Sequence, residues 1–280
     1  MPETVTAFLA TRAPFAGEAL LAFLAERAIE GVETAGPVYA RTLRLAGGAA
    51  VVRLAVQGDG VSCSLALADR RDAAEAVSAC RRLLDLDADP AAIAAVLGAD
   101  PLLGPLVALR PGLRAPGAVD PHEIVVRAML GQQVSVRGAR TLAGRLVARL
   151  GEPWRDGWRL FPEAAAIAGS DPALLGLPRA RAAALVGACA ALADGRLDLR
   201  PGADPLAARA ALVALPGIGP WTAEYVAMRA LGDPDAFPAT DLGVRHAIAR
   251  LPGGDLADPG RWRPYRSYAT HHLWASLGVS

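Results

Sequence analysis

The sequence predicts a mainly α-helical protein with a small α+β domain at its N-terminus. Three observations carry this. Between residues 39 and 67, short β-branched runs alternate with glycine turns. From Pro121 onward, longer apolar-periodic stretches open at Asp-Pro pairs and close at glycines. The segment Pro111-Gly-Leu-Arg-Ala-Pro-Gly117 lies between the two grammars and reads as a linker. Residues 1–112 are therefore expected to form an antiparallel sheet with helices, and residues 113–280 a helical region with a hairpin near 205–231. A chain of 280 residues that is 53% hydrophobic is long enough to bury a core in each.

Taken in order, residues 17–28 and 72–86 read as helices flanking a meander. Its strands are 39–45, 51–56 and 61–67, with turns at Gly47-Gly48 and Gly58-Asp59-Gly60. No catalytic constellation appears in this part, and scaffolding with closure of a cleft is its expected role. Asp120-Pro121-His122-Glu123 has the D-x-x-E form of a capping box and starts a helix that runs through Leu130 to an interruption at Gly131. The following Gln132-Gln133 is a polar break, and helices are expected at 136–150 and 179–193, each with a glycine just beyond.

The most informative stretch is Leu215-Pro-Gly-Ile-Gly-Pro-Trp221-Thr222. Asp204-Pro205 starts one helix, Pro216-Gly217 ends it, and Pro220 suits the first turn of a second helix that reaches Leu231. Gly217 and Gly219 can take a positive φ without steric cost. Such a hairpin turns backbone N–H groups and a helix N-terminus toward one point, a donor-rich concavity that fits a phosphate oxygen and reads backbone rather than bases. On the second helix Ala223, Val226, Ala227 and Ala230 form a core stripe, while Trp221 and Tyr225 share another face, a spacing that by itself reads as core packing. Asp241 precedes a helix at 242–250, where it can cap the helix, act as a catalytic carboxylate, or both. Asp233 and Asp235 read as turn residues. A last helix is expected around 265–276.

From Asp120 on, the chain resembles the helix-hairpin-helix (HhH-GPD) DNA glycosylase superfamily, and within it the 3-methyladenine DNA glycosylase II (AlkA-like) branch. Three ordered motifs carry the likeness: Leu215 through Tyr225, Arg261-Trp-Arg-Pro-Tyr-Arg-Ser-Tyr-Ala269, and Met129-Leu-Gly-Gln-Gln-Val-Ser-Val136. It continues more weakly through Val32-Glu33-Thr34 and Tyr39-Ala40-Arg41. The resemblance implies Asp241 as the catalytic carboxylate and Trp221, Tyr225 and Trp274 as walls of a base pocket. Contacts with DNA would fall to Gln132, Gln133, Gly217, Gly219, Thr222, Arg245 and Arg266. Gln133 takes the place of the side chain pushed into the base stack, where an apolar Leu is the expected residue; the alternative is a plain polar loop. The main-chain carbonyls of Val213, Leu215 and Ile218 would hold a structural Na or K ion, with no cofactor for catalysis. The implied activity is excision of alkylated purines from double-stranded DNA by a soluble, cytoplasmic monomer. A non-catalytic DNA-binding module and a glycosylase for another lesion are the alternatives.

Composition narrows the chemistry. All 29 basic residues are Arg, so the Schiff-base lyase step of bifunctional enzymes has no lysine, and a monofunctional enzyme is expected. Cys63, Cys80 and Cys189 cannot supply a four-thiolate cluster, and His122, His246, His271 and His272 show no metal-ligand spacing. Net charge is only +1 with a pI near 7.8, a faint footprint for a DNA binder. The arginines at 245, 250, 261, 263 and 266 form a local basic cluster. No run of 18 apolar residues occurs.

Overall fold

The computed structural model describes residues 3–254 and 258–278. Five strands, β1 (Glu3–Ala10), β2 (Glu33–Thr34), β3 (Tyr39–Leu45), β4 (Gly48–Gln57) and β5 (Gly60–Leu67), form one antiparallel sheet in the order β1-β5-β4-β3-β2. The expected meander is its centre, with Tyr39 opposite Leu54 and Val56 opposite Val61. β1 was not foreseen. It is an edge strand in which Val5, Ala7 and Leu9 alternate toward the core, but the exposed Phe8 turns its second half into an unbroken apolar run that masks the alternation.

Helices α1 (Gly17–Glu26) and α2 (Ala73–Leu83) occupy the expected flanks, and two short helices, α3 (Pro90–Leu97) and α4 (Gly104–Leu109), follow. Beyond the linker come α5 (Pro121–Gly131), α6 (Val136–Leu150), α7 (Ala164–Ala168) and α8 (Arg179–Ala193). The hairpin helices are α9 (Pro205–Val213) and α10 (Pro220–Ala230), followed by α11 (Leu242–Arg250) and α12 (Arg266–Ser276). The protein is thus mainly helical with an antiparallel-sheet domain at its start. Among the described residues no helix is long and apolar enough to cross a membrane.

Packing does not follow chain order. One apolar cluster joins the inner face of the sheet and α1 and α2 to α11 and α12, through residues such as Leu54, Leu65, Val244 and Leu273. The other gathers α5, α6, α8 and α9 and takes in Ile29 and Val32 from the N-terminal part. α10 lies between them: Ala223 and Val226 face the second cluster, Ala227 and Met228 the first, and Tyr225 packs against both. The middle of α10 therefore sits at the seam of the two cores.

A buried ionic cluster ties the sheet to α5. Arg41 donates to Glu123 at 2.7 Å and lies 3.4 Å from Glu33, while Arg127 pairs with Glu33 and with Glu123 at 2.9 Å. Tyr39 donates its hydroxyl to Glu33 at 2.5 Å, and the Ile29 N–H adds 2.9 Å. Burial alone would raise the pKa of Glu33, but the charges of Arg127 and Arg41 with the Tyr39 hydrogen bond outweigh it and hold it low. This corrects the capping-box reading: Asp120 does cap α5, accepting from His122 N at 2.8 Å, but Glu123 turns inward to the arginines.

Candidate active site

The site is built at the N-terminus of α11. Asp241 is the N-cap of that helix, and its Oδ1 accepts from the Val244 N–H at 2.9 Å. The same oxygen accepts from Trp274 Nε1 at 2.9 Å, and Oδ2 accepts from Trp221 Nε1 at 2.8 Å. Capping and a place in the site are thus compatible. Each carboxylate oxygen offers about two acceptor positions, so Oδ1 is filled and Oδ2 keeps one open. All three donors are neutral and fix the carboxylate without cancelling its charge.

Asp241 opens into a cavity of about 370 Å³. Trp221, Tyr225 and Trp274 all line it, brought together from α10 and α12. Trp221 stacks on Tyr225 with centroids 5.5 Å apart, Trp274 stacks on Phe23 of α1 at 6.3 Å, and Tyr225 and Trp274 stand 6.4 Å apart at a tilt. The aromatic pair at i, i+4, whose spacing alone reads as core packing, borders the cavity because α10 lies at the seam.

Several lining residues escaped the sequence reading. Arg27, Arg127, Arg140 and Arg229 border the cavity, as does Gly243. Arg229 is buried and donates to the carbonyls of Pro116 and Gly117 and to the Tyr225 hydroxyl. Arg27 stacks on Phe23 at 3.7 Å. Arg127 reaches the cavity from the ionic cluster. Local contacts, such as Arg27 with Phe23 and Arg229 with Tyr225, do not reveal that these arginines share a cavity, because the elements that carry them meet only in the fold. His271 and His272 are core residues: burial, reinforced by nearby arginines, holds His271 well below the usual histidine range and His272 down to about 4.

At the hairpin, Gly217 takes φ +79°, and a Cβ there would meet the Ala184 Cβ at 2.7 Å, so glycine is required twice over. Gly219 departs from the expectation: it is the N-cap of α10 at φ −95° in open space, where other residues fit. Thr222 is buried. Gln132 donates from Nε2 to the Gly217 carbonyl at 2.8 Å and to Thr222 Oγ1 at 2.9 Å. Its amide braces the hairpin, so both side chains are engaged within the protein. Gln133 is exposed, with φ +58°, projecting from the loop beside the cavity.

Three arginines of the basic cluster are held in ion pairs, although only Arg266 is withdrawn from the surface. Arg266 is held by the carboxylate of Asp235 at 2.7 and 2.8 Å and by the Asp235 carbonyl. Arg263 pairs with Asp235, and Arg261 with Asp100. Proximity in sequence concealed these partners: Arg261 and Arg263 stay at the surface but are paired with carboxylates distant in the chain. Arg245 and Arg250 are exposed on α11. Val213 and Leu215 sit at the end of α9, and the Leu215 carbonyl accepts from Ile218 N at 3.2 Å.

Fold and site together define a helix-hairpin-helix protein with one carboxylate at the mouth of an aromatic cavity. Residues 6–120 match the family model of the AlkA N-terminal domain. The chain is 36% identical over 277 residues to DNA-3-methyladenine glycosylase 2 of Escherichia coli, covering 95% of each chain. It is 50% identical over 284 residues to the probable bifunctional transcriptional activator/DNA repair enzyme AlkA of Mycobacterium tuberculosis; that alignment covers 98% of this chain but 57% of the relative, so the chain spans little more than half its length. A 3-methyladenine DNA glycosylase from Archaeoglobus fulgidus shares the fold, with a TM-score of 0.78 at 23% identity over 97% of both chains. The protein belongs to the AlkA-like branch of the helix-hairpin-helix DNA glycosylase superfamily.

Proposed function

We propose that the protein excises alkylated purines from duplex DNA by hydrolysing the N-glycosidic bond, leaving an abasic site and an uncut strand. The observation that carries this reading is Asp241, a carboxylate with one open acceptor position, facing a cavity walled by Trp221, Tyr225 and Trp274. The names of its relatives support the same class of reaction.

The damaged nucleotide flips out of the duplex at a cost of a few kcal/mol, less for a damaged pair. Its base stacks among the aromatic rings, where a cationic methylpurine gains roughly 0.5–2 kcal/mol of cation–π attraction. As the C1′–N bond breaks, its electron pair neutralises the base's positive charge and positive charge develops on the sugar. Asp241 stabilises that charge. Water forms the new C1′–O bond, guided by the open position on Oδ2, and its proton passes to solvent. Because the base leaves neutral, no second carboxylate is needed as a general acid, and stacking on charge rather than on edge pattern gives a broad purine range.

The hairpin amides at Gly217, Gly219 and Thr222 grip one phosphate, and Arg245 adds a second contact. Gln133 fills the vacated stack. Gln132 and Arg266 serve DNA binding indirectly, by holding the hairpin and the Asp235 loop. The carbonyls of Val213, Leu215 and Ile218 form an oxygen donor set at a helix C-terminus, suited to a monovalent Na or K ion that would stiffen the turn. The protein acts as a monomer on double-stranded DNA in the cytoplasm.

The test is incubation of methylated duplex DNA with the protein, scoring free bases and strand integrity before and after alkali. Release of methylpurines with nicks appearing only after alkali is expected. Binding without release across methylated purines would favour a non-catalytic module.

A further inference from the structure

The first turn of α11 contains a glycine that its backbone does not require. Gly243 lies in ordinary helical conformation, where alanine is the better residue. A Cβ built there would stand 3.0 Å from Asp241 Oδ1 and 3.0 and 3.1 Å from Trp274 Cδ1 and Nε1. Asp241 Oδ1 and Trp274 Nε1 are the two ends of the 2.9 Å hydrogen bond from Trp274 to Asp241. The indole edge thus passes directly over the bare Cα of residue 243 to reach the carboxylate.

We propose that Gly243 is a positioning residue of the active site: its missing side chain is what lets the Trp274 indole lie on α11 and donate to Asp241. This rests on the function proposed above and adds a residue that acts only through two others. A methyl at position 243 forces one neighbour to give way. Asp241 is fixed by two further donors, the Val244 N–H and Trp221 Nε1, whereas Trp274 borders the cavity of about 370 Å³ and has room to shift. The indole therefore shifts by a few tenths of an ångström, the hydrogen bond is stretched and weakened, and the stacking wall of the pocket tilts with it, while the helix gains a better helix former.

The experiment compares wild type, Gly243→Ala, Trp274→Phe and the double variant. Single-turnover release of methylpurine, the enzyme concentration giving half-maximal rate, thermal midpoint and the side-chain indole N–H resonance of Trp274 are recorded. Gly243→Ala is expected to keep or raise the thermal midpoint, displace the Trp274 indole resonance, and slow the saturating rate roughly ten-fold, as weakening of a hydrogen bond to a charged group implies. Half-saturation should change little, and the substitution should have no further effect in the Trp274→Phe background. An unmoved indole resonance, an unchanged rate, losses that multiply in the double variant, or a midpoint that falls in step with the rate would each overturn the proposal. If wild type releases no base, the proposed function fails, and the indole resonance still decides the geometric claim.

Discussion

Replacing Glu33 by Gln tests the buried tie between the sheet and α5. The cluster balances two carboxylates, Glu33 and Glu123, against two guanidinium groups, Arg41 and Arg127. Glu33 is 4% exposed and receives four donors: Tyr39, Ile29 N, Arg41 and Arg127. Glutamine preserves volume but leaves two buried cations sharing one anion and turns an amide NH₂ toward other donors. Breaking a buried pair this way costs about 3–5 kcal/mol, a large part of the roughly 5–15 kcal/mol that holds a domain folded. At about 2–4 °C per kcal/mol, the thermal midpoint should fall by roughly 6–20 °C. Equilibrium urea unfolding is the assay, with the midpoint lowered and the slope unchanged. Adding Arg41→Met restores one cation to one anion and should recover much of the loss. A loss for Glu33→Gln below about 1 kcal/mol would refute the reasoning.

Asp85 carries a pH dependence. Burial, only partly offset by its hydrogen bonds, raises its pKa from 3.8 to about 6. Between those values the folded chain holds a proton that the unfolded chain has released, so stability falls as pH rises from about 4 to 6, by at most about 3 kcal/mol. Asp85→Asn should therefore be more stable than wild type at pH 7, and the advantage should vanish below about pH 4 in urea titrations; a constant advantage would contradict the assignment. Trp221→Phe keeps a ring in the stack but removes the 2.8 Å hydrogen bond to Asp241, and single-turnover base release should slow roughly 10- to 100-fold. Arg245→Ala should weaken duplex binding uniformly across sequences and lower the slope of log K against log salt by about 1; an unchanged slope would remove Arg245 from the phosphate contacts.

Much of the helical frame is legible in the sequence because its signals are local. Asp204-Pro205 starts α9 with Asp204 accepting from Leu206 N, glycine ends helix after helix, and Asp241 caps α11. The position of Asp241 among three donors is not legible, since Trp221 and Trp274 reach it from other helices. The ionic cluster hides for the same reason: Glu123 and Arg127 are an ordinary i,i+4 pair on α5, and only the fold brings Glu33 and Arg41 of the sheet onto them. Arg266 shows the converse, a residue whose neighbours in sequence suggest a basic surface while Asp235, across the loop, takes its guanidinium. β1 was missed because the exposed Phe8 blurs the alternation of Val5, Ala7 and Leu9, and Gly243 because nothing in a helical pattern distinguishes a tolerated glycine from one that makes room for an indole.

The central claim is that Asp241 performs the glycosidic cleavage, and its most direct test is single-turnover release of 3-methyladenine and 7-methylguanine from methylated duplex DNA by wild type and Asp241→Asn. Asparagine keeps the shape, and its one oxygen can still accept from the Val244 N–H and Trp274 Nε1 while the NH₂ replaces the oxygen that accepted from Trp221; folding and duplex binding should persist while release falls by roughly 100-fold or more, the scale of losing an electrostatic stabiliser of the transition state. Release by Asp241→Asn within a few-fold of wild type would contradict the account.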